Sequence, residues 1–177
     1  MKQAIVNEQK RDGTFNMYSF YFYHFEELKA VDFLERGIAY ANSKLHNAAI
    51  RYFSQGIMLE PEISHLYFHR GISHHVKMNI EQAVADLSKA IEIDQTEAVF
   101  YSYRGFILKD KKEYKDAITD LSKAIEIDPT NSDFYSMRGC VFADIGDNEK
   151  AKSDALKALE INSRDKLAKK CLNELKE

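Results

Sequence analysis

The sequence predicts an all-α fold, a solenoid of stacked antiparallel helix hairpins, and three observations carry that expectation. The stretch DLSKAIEID at Asp86 to Asp94 recurs letter for letter at Asp120 to Asp128, an offset of 34 residues. The same offset links the Arg-Gly pairs Arg36-Gly37, Arg70-Gly71, Arg104-Gly105 and Arg138-Gly139. Only two prolines and seven glycines interrupt 177 residues, which leaves room for long helices joined by short turns. A chain that repeats one supersecondary unit buries its apolar faces between neighbouring copies, so a period of this length implies a stack.

Four units of equal length follow, at 30–63, 64–97, 98–131 and 132–165. In each, an aromatic stands four residues before the glycine (Phe33, Tyr67, Tyr101, Tyr135), and a small residue stands twelve after it (Ala49, Ala83, Ala117, Ala151). A second small position recurs at Gly56, Ala90, Ala124 and Ala158. Small positions facing large ones let two helices cross closely, so each unit reads as a hairpin. Its second helix shows helical spacing, as in Ala117, Leu121, Ala124, Ile125 and Ile127, and Pro129 ends that helix because proline cannot continue the ladder. After the last unit, residues 166–177 put Leu167, Cys171, Leu172 and Leu175 on one stripe, the pattern of a capping helix over an otherwise exposed apolar end.

In these residues the chain resembles the tetratricopeptide repeat family, whose pattern is matched by YSYRGFILKDKKEYKDAITDLSKAIEIDP at Tyr101 to Pro129 and, less closely, by the other three units. The resemblance implies a right-handed superhelix with the first helix of each hairpin on its concave wall. It departs from the family pattern where Phe or Tyr replaces the frequent Trp, where Gly56 replaces the second Ala, and where Gln95 and Ser163 replace proline.

Totals exclude several function classes. With 45% hydrophobic and 30% charged residues, the chain has the balance of a folded soluble domain. A net charge of -3 argues against a nucleic-acid partner, which needs a clustered basic footprint. Two cysteines, Cys140 and Cys171, show no framework spacing and read as free thiols in a reducing, cytoplasmic setting. No secretory leader is recognisable, and no run of about 20 apolar residues exists to span a bilayer.

Catalysis is not expected, because G-x-S-x-G, G-x-x-x-x-G-K and H-E-x-x-H are all missing. No cofactor follows from any motif. His65 and His69 have the i,i+4 spacing that can present two imidazoles to a metal, but two ligands make no site. The four Arg-Gly arginines could form a ladder for an acidic ligand. The simpler use is an ion pair to the acid sixteen residues later, Asp86, Asp120 or Asp154, with Tyr52 as the exception in the first unit.

The expected function is non-enzymatic: an adaptor that holds a peptide or helix of a partner protein in its concave groove, by apolar and aromatic anchors. By resemblance, the groove candidates are Leu34 and Ile38, then His65, Phe68, His69, Ile72 and His75, then Val99, Tyr103 and Phe106, then Met137 and Cys140. Phe68 and Phe106 are the expected anchors. The family's co-chaperone branch grips a C-terminal carboxylate with Lys, Asn and Arg, but Leu34, Ile38, His69, Val99 and Tyr103 stand at those positions, so that clamp is absent.

The N-terminal stretch FNMYSFYFYHF, Phe15 to Phe25, has no place in the repeats. As a helix it would put Tyr18, Phe22 and Phe25 on one face; as a strand it would oppose Phe20 and Phe22 to Tyr21 and Tyr23. Within residues 1–29 it is expected to form a partly helical cap on the open end of the first unit. The alternatives are docking into a groove of this or a neighbouring subunit and membrane contact, the last disfavoured by the lack of flanking basic residues. A self-associating, chaperone-like homodimer built through this stretch is the alternative function.

Overall fold

The structure, a computed structural model, describes residues 29–175. They form nine helices: α1 Ala30–Asn42, α2 His46–Leu59, α3 Ser64–Val76, α4 Ile80–Ile93, α5 Ala98–Asp110, α6 Tyr114–Ile127, α7 Ser132–Asp144, α8 Asn148–Ile161 and α9 Lys166–Glu174. No strand occurs among the described residues. Each odd-numbered helix from α1 to α7 pairs with the even-numbered helix after it, and each even-numbered helix packs in turn against the next hairpin. First helices also approach one another, α1 to α3 and α5 to α7, which the second helices do not do to the same extent. The first helices therefore make the inner wall of a curved stack.

Short turns hold each hairpin closed by one recurring device. The N–H of Leu45 donates to the Tyr40 carbonyl at 2.9 Å and that of Lys44 to Ala41 at 2.9 Å, a six-residue helix stop that needs a left-handed residue. Lys44, Met78 and Lys112 take that conformation at φ 62°, 63° and 63°, and only the last hairpin uses a glycine, Gly146 at 79°. Three of the four second helices, α4, α6 and α8, stop on a side chain. Asp94 Oδ1 accepts from the N–H and hydroxyl of Thr96, Asp128 does the same for Thr130, and Asn162 accepts from the Arg164 N–H. Proline is thus dispensable at residues 95 and 163, because the polar side chain one position earlier sets the turn.

The core is continuous between hairpins. Leu66, Phe100 and Phe134 stand at the third position of α3, α5 and α7 and are at most 5% exposed. A Cβ added at Gly56 on α2 would lie 2.7 Å from Leu66 Cδ2, so this position packs each first helix onto the preceding second helix. At the far end α9 seals the stack: Ala168 and Cys171 are buried, Leu172 and Leu175 are half-buried, but Leu167, expected on the same stripe, is exposed. Buried Asp165 starts α9 by accepting from the Ala168 N–H at 2.9 Å, and Ser136 on α7 donates to its other oxygen at 2.6 Å.

Candidate functional site

The arginines of the repeat belong to the framework rather than to a ligand site. Arg104 reaches Asp120 on α6 with two N–H groups, each at 2.7 Å, and its third nitrogen donates to Ser88 on α4 at 3.0 Å. Arg70 binds Asp86 and Ser54 in the same way, and Arg138 binds Asp154 and Ser122. A planar guanidinium suits this fork, and each one staples two consecutive second helices to one first helix. Those serines, sixteen residues before each arginine, are functional partners that the search for acids did not reach. In the first hairpin Arg36 is exposed, and Tyr52 stacks on Tyr40 with ring centres 4.9 Å apart.

With the arginines occupied, the inner wall is left to the aromatic and imidazole side chains. Tyr103 and Phe106 on α5 each keep 37% of their surface in solvent. His75 meets Phe106 edge-on, with ring centres 5.7 Å apart. His65 is exposed and meets the buried Phe100 edge-on at 5.3 Å. His69 lies between Phe53 and Phe68, at 5.8 and 5.1 Å. Burial there holds the His69 pKa below the usual imidazole value, and the neighbouring His65 lowers it further, so the ring is a neutral polar contact near pH 7. Leu34, Ile38, Ile72, Val99, Met137 and Cys140 are half-buried around them. At the lower end Lys109 and Asp144 pair at 3.2 Å across α5 and α7.

Phe68 does not belong with the presented side chains. It is 7% exposed, packed on Phe100 at 4.9 Å and under the edge of Tyr103 at 5.3 Å. Ser102 and Ser136, at the same repeat position, are also buried. The fifth residue of each later first helix therefore lies at the seam between hairpins, and Phe68 supports the wall from beneath. Phe106 and Tyr103 are the rings that reach solvent.

Cys140 is no nucleophile: burial, then the neighbouring Cys171, push its thiol up to about 11. Among the described residues no three His, Cys, Asp or Glu side chains converge as a metal site. No helix among them is long and apolar enough to cross a membrane. Residues Phe15 to Phe25, and with them the expected N-terminal cap, lie outside the described residues.

The profile of the tetratricopeptide repeat matches residues 98–131, and a second profile of the same description matches residues 121–153. No curated protein matches the chain. Among solved structures, a crystal structure of MamA is similar with a TM-score of 0.73 at 24% identity, over 76% of this chain and 79% of that one. PilF of Pseudomonas aeruginosa is similar with a TM-score of 0.77 at 18% identity, over 82% and 67% of the two chains. The first repeat domain of Spaghetti (RPAP3), bound to the HSP90 peptide SRMEEVD, is similar with a TM-score of 0.63 at 19% identity, over 64% and 90%. These likenesses establish the fold.

Proposed function

Since the chain is a tetratricopeptide-repeat protein, we propose that it is a non-enzymatic adaptor whose inner wall holds a peptide or helix of a partner protein by apolar and aromatic anchors. The observation that carries this reading is the exposure of Tyr103 and Phe106, 37% each, on adjoining inner positions of α5. The hairpin core is already filled by Phe100, Ile107 and Leu108, so neither ring is needed there. Rings left in solvent beside half-buried aliphatics make a surface that gains by being covered. The likeness to a domain carrying a bound peptide supports the same use of the fold.

The wall selects a ligand different from an acidic chain end. Leu34, Ile38, His69, Val99 and Tyr103 offer no cation where a carboxylate would sit. The cation that lies lower in the groove, Lys109, is paired with Asp144. Selection of peptides from a random display library on the purified chain tests the reading. Binders should carry aromatic or aliphatic anchors at helical or extended spacing, and should weaken at least tenfold on a Tyr103→Glu, Phe106→Glu variant of unchanged helicity. Enrichment of acidic C-terminal peptides, or binders indifferent to both substitutions, would contradict it.

A further inference from the structure

In the turns of the second and third hairpins, Lys77 and Lys111 occupy the same repeat position but meet opposite surroundings. Lys111 pairs with Glu113 at 2.8 Å, and Glu81 of the preceding hairpin lies close enough to act on the same ammonium. One repeat earlier, the places of those two acids are taken by the amides Asn79 and Asn47. Lys77 instead shares a cavity of about 380 Å³ with Lys44, His46 and Arg51, lined also by Leu45 and Asn47. Among the described residues, Lys44, Arg51 and Lys77 have no ion pair.

The first turn of α2 lines the same cavity. Its N-cap residue is Leu45, which has no side chain to accept from the free N–H groups, and no acid stands in that turn. In contrast, α4, α6 and α8 place Glu81, Asp116 and Glu149 there. The partial positive charge of the α2 start therefore adds to that of the cations. The Nδ1 atom of His46 is buried at this end and has no hydrogen-bond partner among the described residues. Charges that the later hairpins neutralise from within are left here for an anion from outside.

Around the cavity the turns present apolar side chains to solvent. Leu45, Val76 and Met78 are 55%, 53% and 77% exposed. Met78 stands at the left-handed turn position that holds Lys112 and Gly146 in the next hairpins, so the core has no use for it. At the place of Val76 the later hairpins carry Asp110 and Asp144. Apolar tips beside unpaired cations suit the surface of an anionic bilayer, where the tips enter the acyl boundary and the cations meet headgroup phosphates. A soluble phosphorylated peptide would use the cavity but leave the tips in water.

We propose that the turn edge of the first two hairpins is a peripheral binding surface for an anionic bilayer, with a headgroup phosphate held among Lys44, Arg51 and Lys77. Leu45, Val76 and Met78 enter the interface beside it. Asp110, Glu113, Asp144 and Asp147, on the turns of the last two hairpins, confine the contact to the first two. None of the residues that make this surface belongs to the inner wall, so the inference goes beyond the groove reading and does not depend on it.

Flotation of the full chain with vesicles of pure phosphatidylcholine, and with vesicles in which about a third of the lipid is phosphatidylserine, tests this. The chain should float with the anionic vesicles alone, and salt at about 0.5 M should release it. Lys44→Glu with Lys77→Glu should weaken partitioning more than about tenfold. Met78→Asp, which keeps the turn because aspartate accepts a left-handed backbone, should weaken it less. Lys112→Glu, the same charge change at the place of Lys44 in the third hairpin, should leave it unchanged. Circular dichroism should be unaltered in every variant. No flotation, equal flotation with both vesicles, flotation that survives Lys44→Glu with Lys77→Glu, or an equal loss from Lys112→Glu would overturn the proposal. Inorganic phosphate that shifts the nuclear magnetic resonance signal of Lys77, in a chain that ignores vesicles, would assign the cavity to a soluble phosphorylated ligand and overturn the bilayer reading.

Discussion

The first hairpin and the three that follow solve one packing problem in two ways. In the later hairpins a forked ion pair, Arg104 to Asp120 with Ser88 as its third partner, joins three helices across the repeat boundary. In the first there is no such fork; Tyr40 stacks on Tyr52, and the ring of Phe53 fills the space over Gly37 where Leu87 and Leu121 stand over Gly71 and Gly105. The difference teaches that aromatic packing can replace the polar staple within a hairpin. Among the described residues no second helix precedes the first hairpin, so Arg36 has no serine there to match Ser54, Ser88 and Ser122.

Substituting the repeat glycines breaks this comparison with the largest effect. A methyl group at Gly37 would lie 2.3 Å from a Phe53 ring carbon, whereas at Gly139 the nearest atom, the Ala151 carbonyl oxygen, is 3.3 Å away. Gly37→Ala should lower stability by about 3 kcal/mol, as overpacking of a rigid ring does. Gly139→Ala should cost less than about 1 kcal/mol. Adding Phe53→Leu should recover most of the loss at Gly37, which chemical denaturation of the double variant would measure; a loss that persists would show that backbone and not the ring sets the clash.

Next in size, Arg104→Met strands the buried Asp120 and should cost about 2 kcal/mol, below the full penalty for breaking a buried pair because the arginine is a fifth exposed. Arg36→Met, which strands no acid, should stay within about 0.5 kcal/mol of wild type. Equal losses from both would contradict the division between the hairpins.

A smaller effect separates the same regions by pH. His69 and His74, both on α3, are held below the ordinary imidazole pKa chiefly by burial. The native state favours the neutral rings while the unfolded chain takes up protons near its ordinary value, so their contribution is intact above about pH 6.5 and is lost as the pH falls below it. The melting temperature should drop between pH 7 and 5.5, and less so in His69→Gln; an identical drop in that variant would remove His69 from the account. The smallest change is a gain: Lys112→Gly relieves the left-handed backbone at φ 63° and should add about 0.5–1 kcal/mol, while Gly146→Ala should lose a similar amount.

The fold was legible because one unit is written four times, and because Arg70, Arg104 and Arg138 each carry their acid at a fixed offset. Turns at Asp94 and Asn162 were less legible: attention to a missing proline hid the side chain that forms the turn. Phe68 was misplaced for a geometric reason. Whether a residue at the edge of an inner face points into the groove or into the seam depends on how adjacent helices are tilted, and a repeat pattern records position along a helix, not tilt. The substitution of Asp32 for a core residue on α1 was written in the sequence, but it means something only once Leu66, Phe100 and Phe134 are seen buried at the matching place.

Hydrogen exchange on the chain with and without a library-selected peptide tests the central claim most directly, since it reads every helix at once. The account predicts slowed exchange along α3, α5 and α7, with α2, α4 and α6 unchanged on the outer side. Protection confined to the second helices, with the inner wall unaffected, would contradict it.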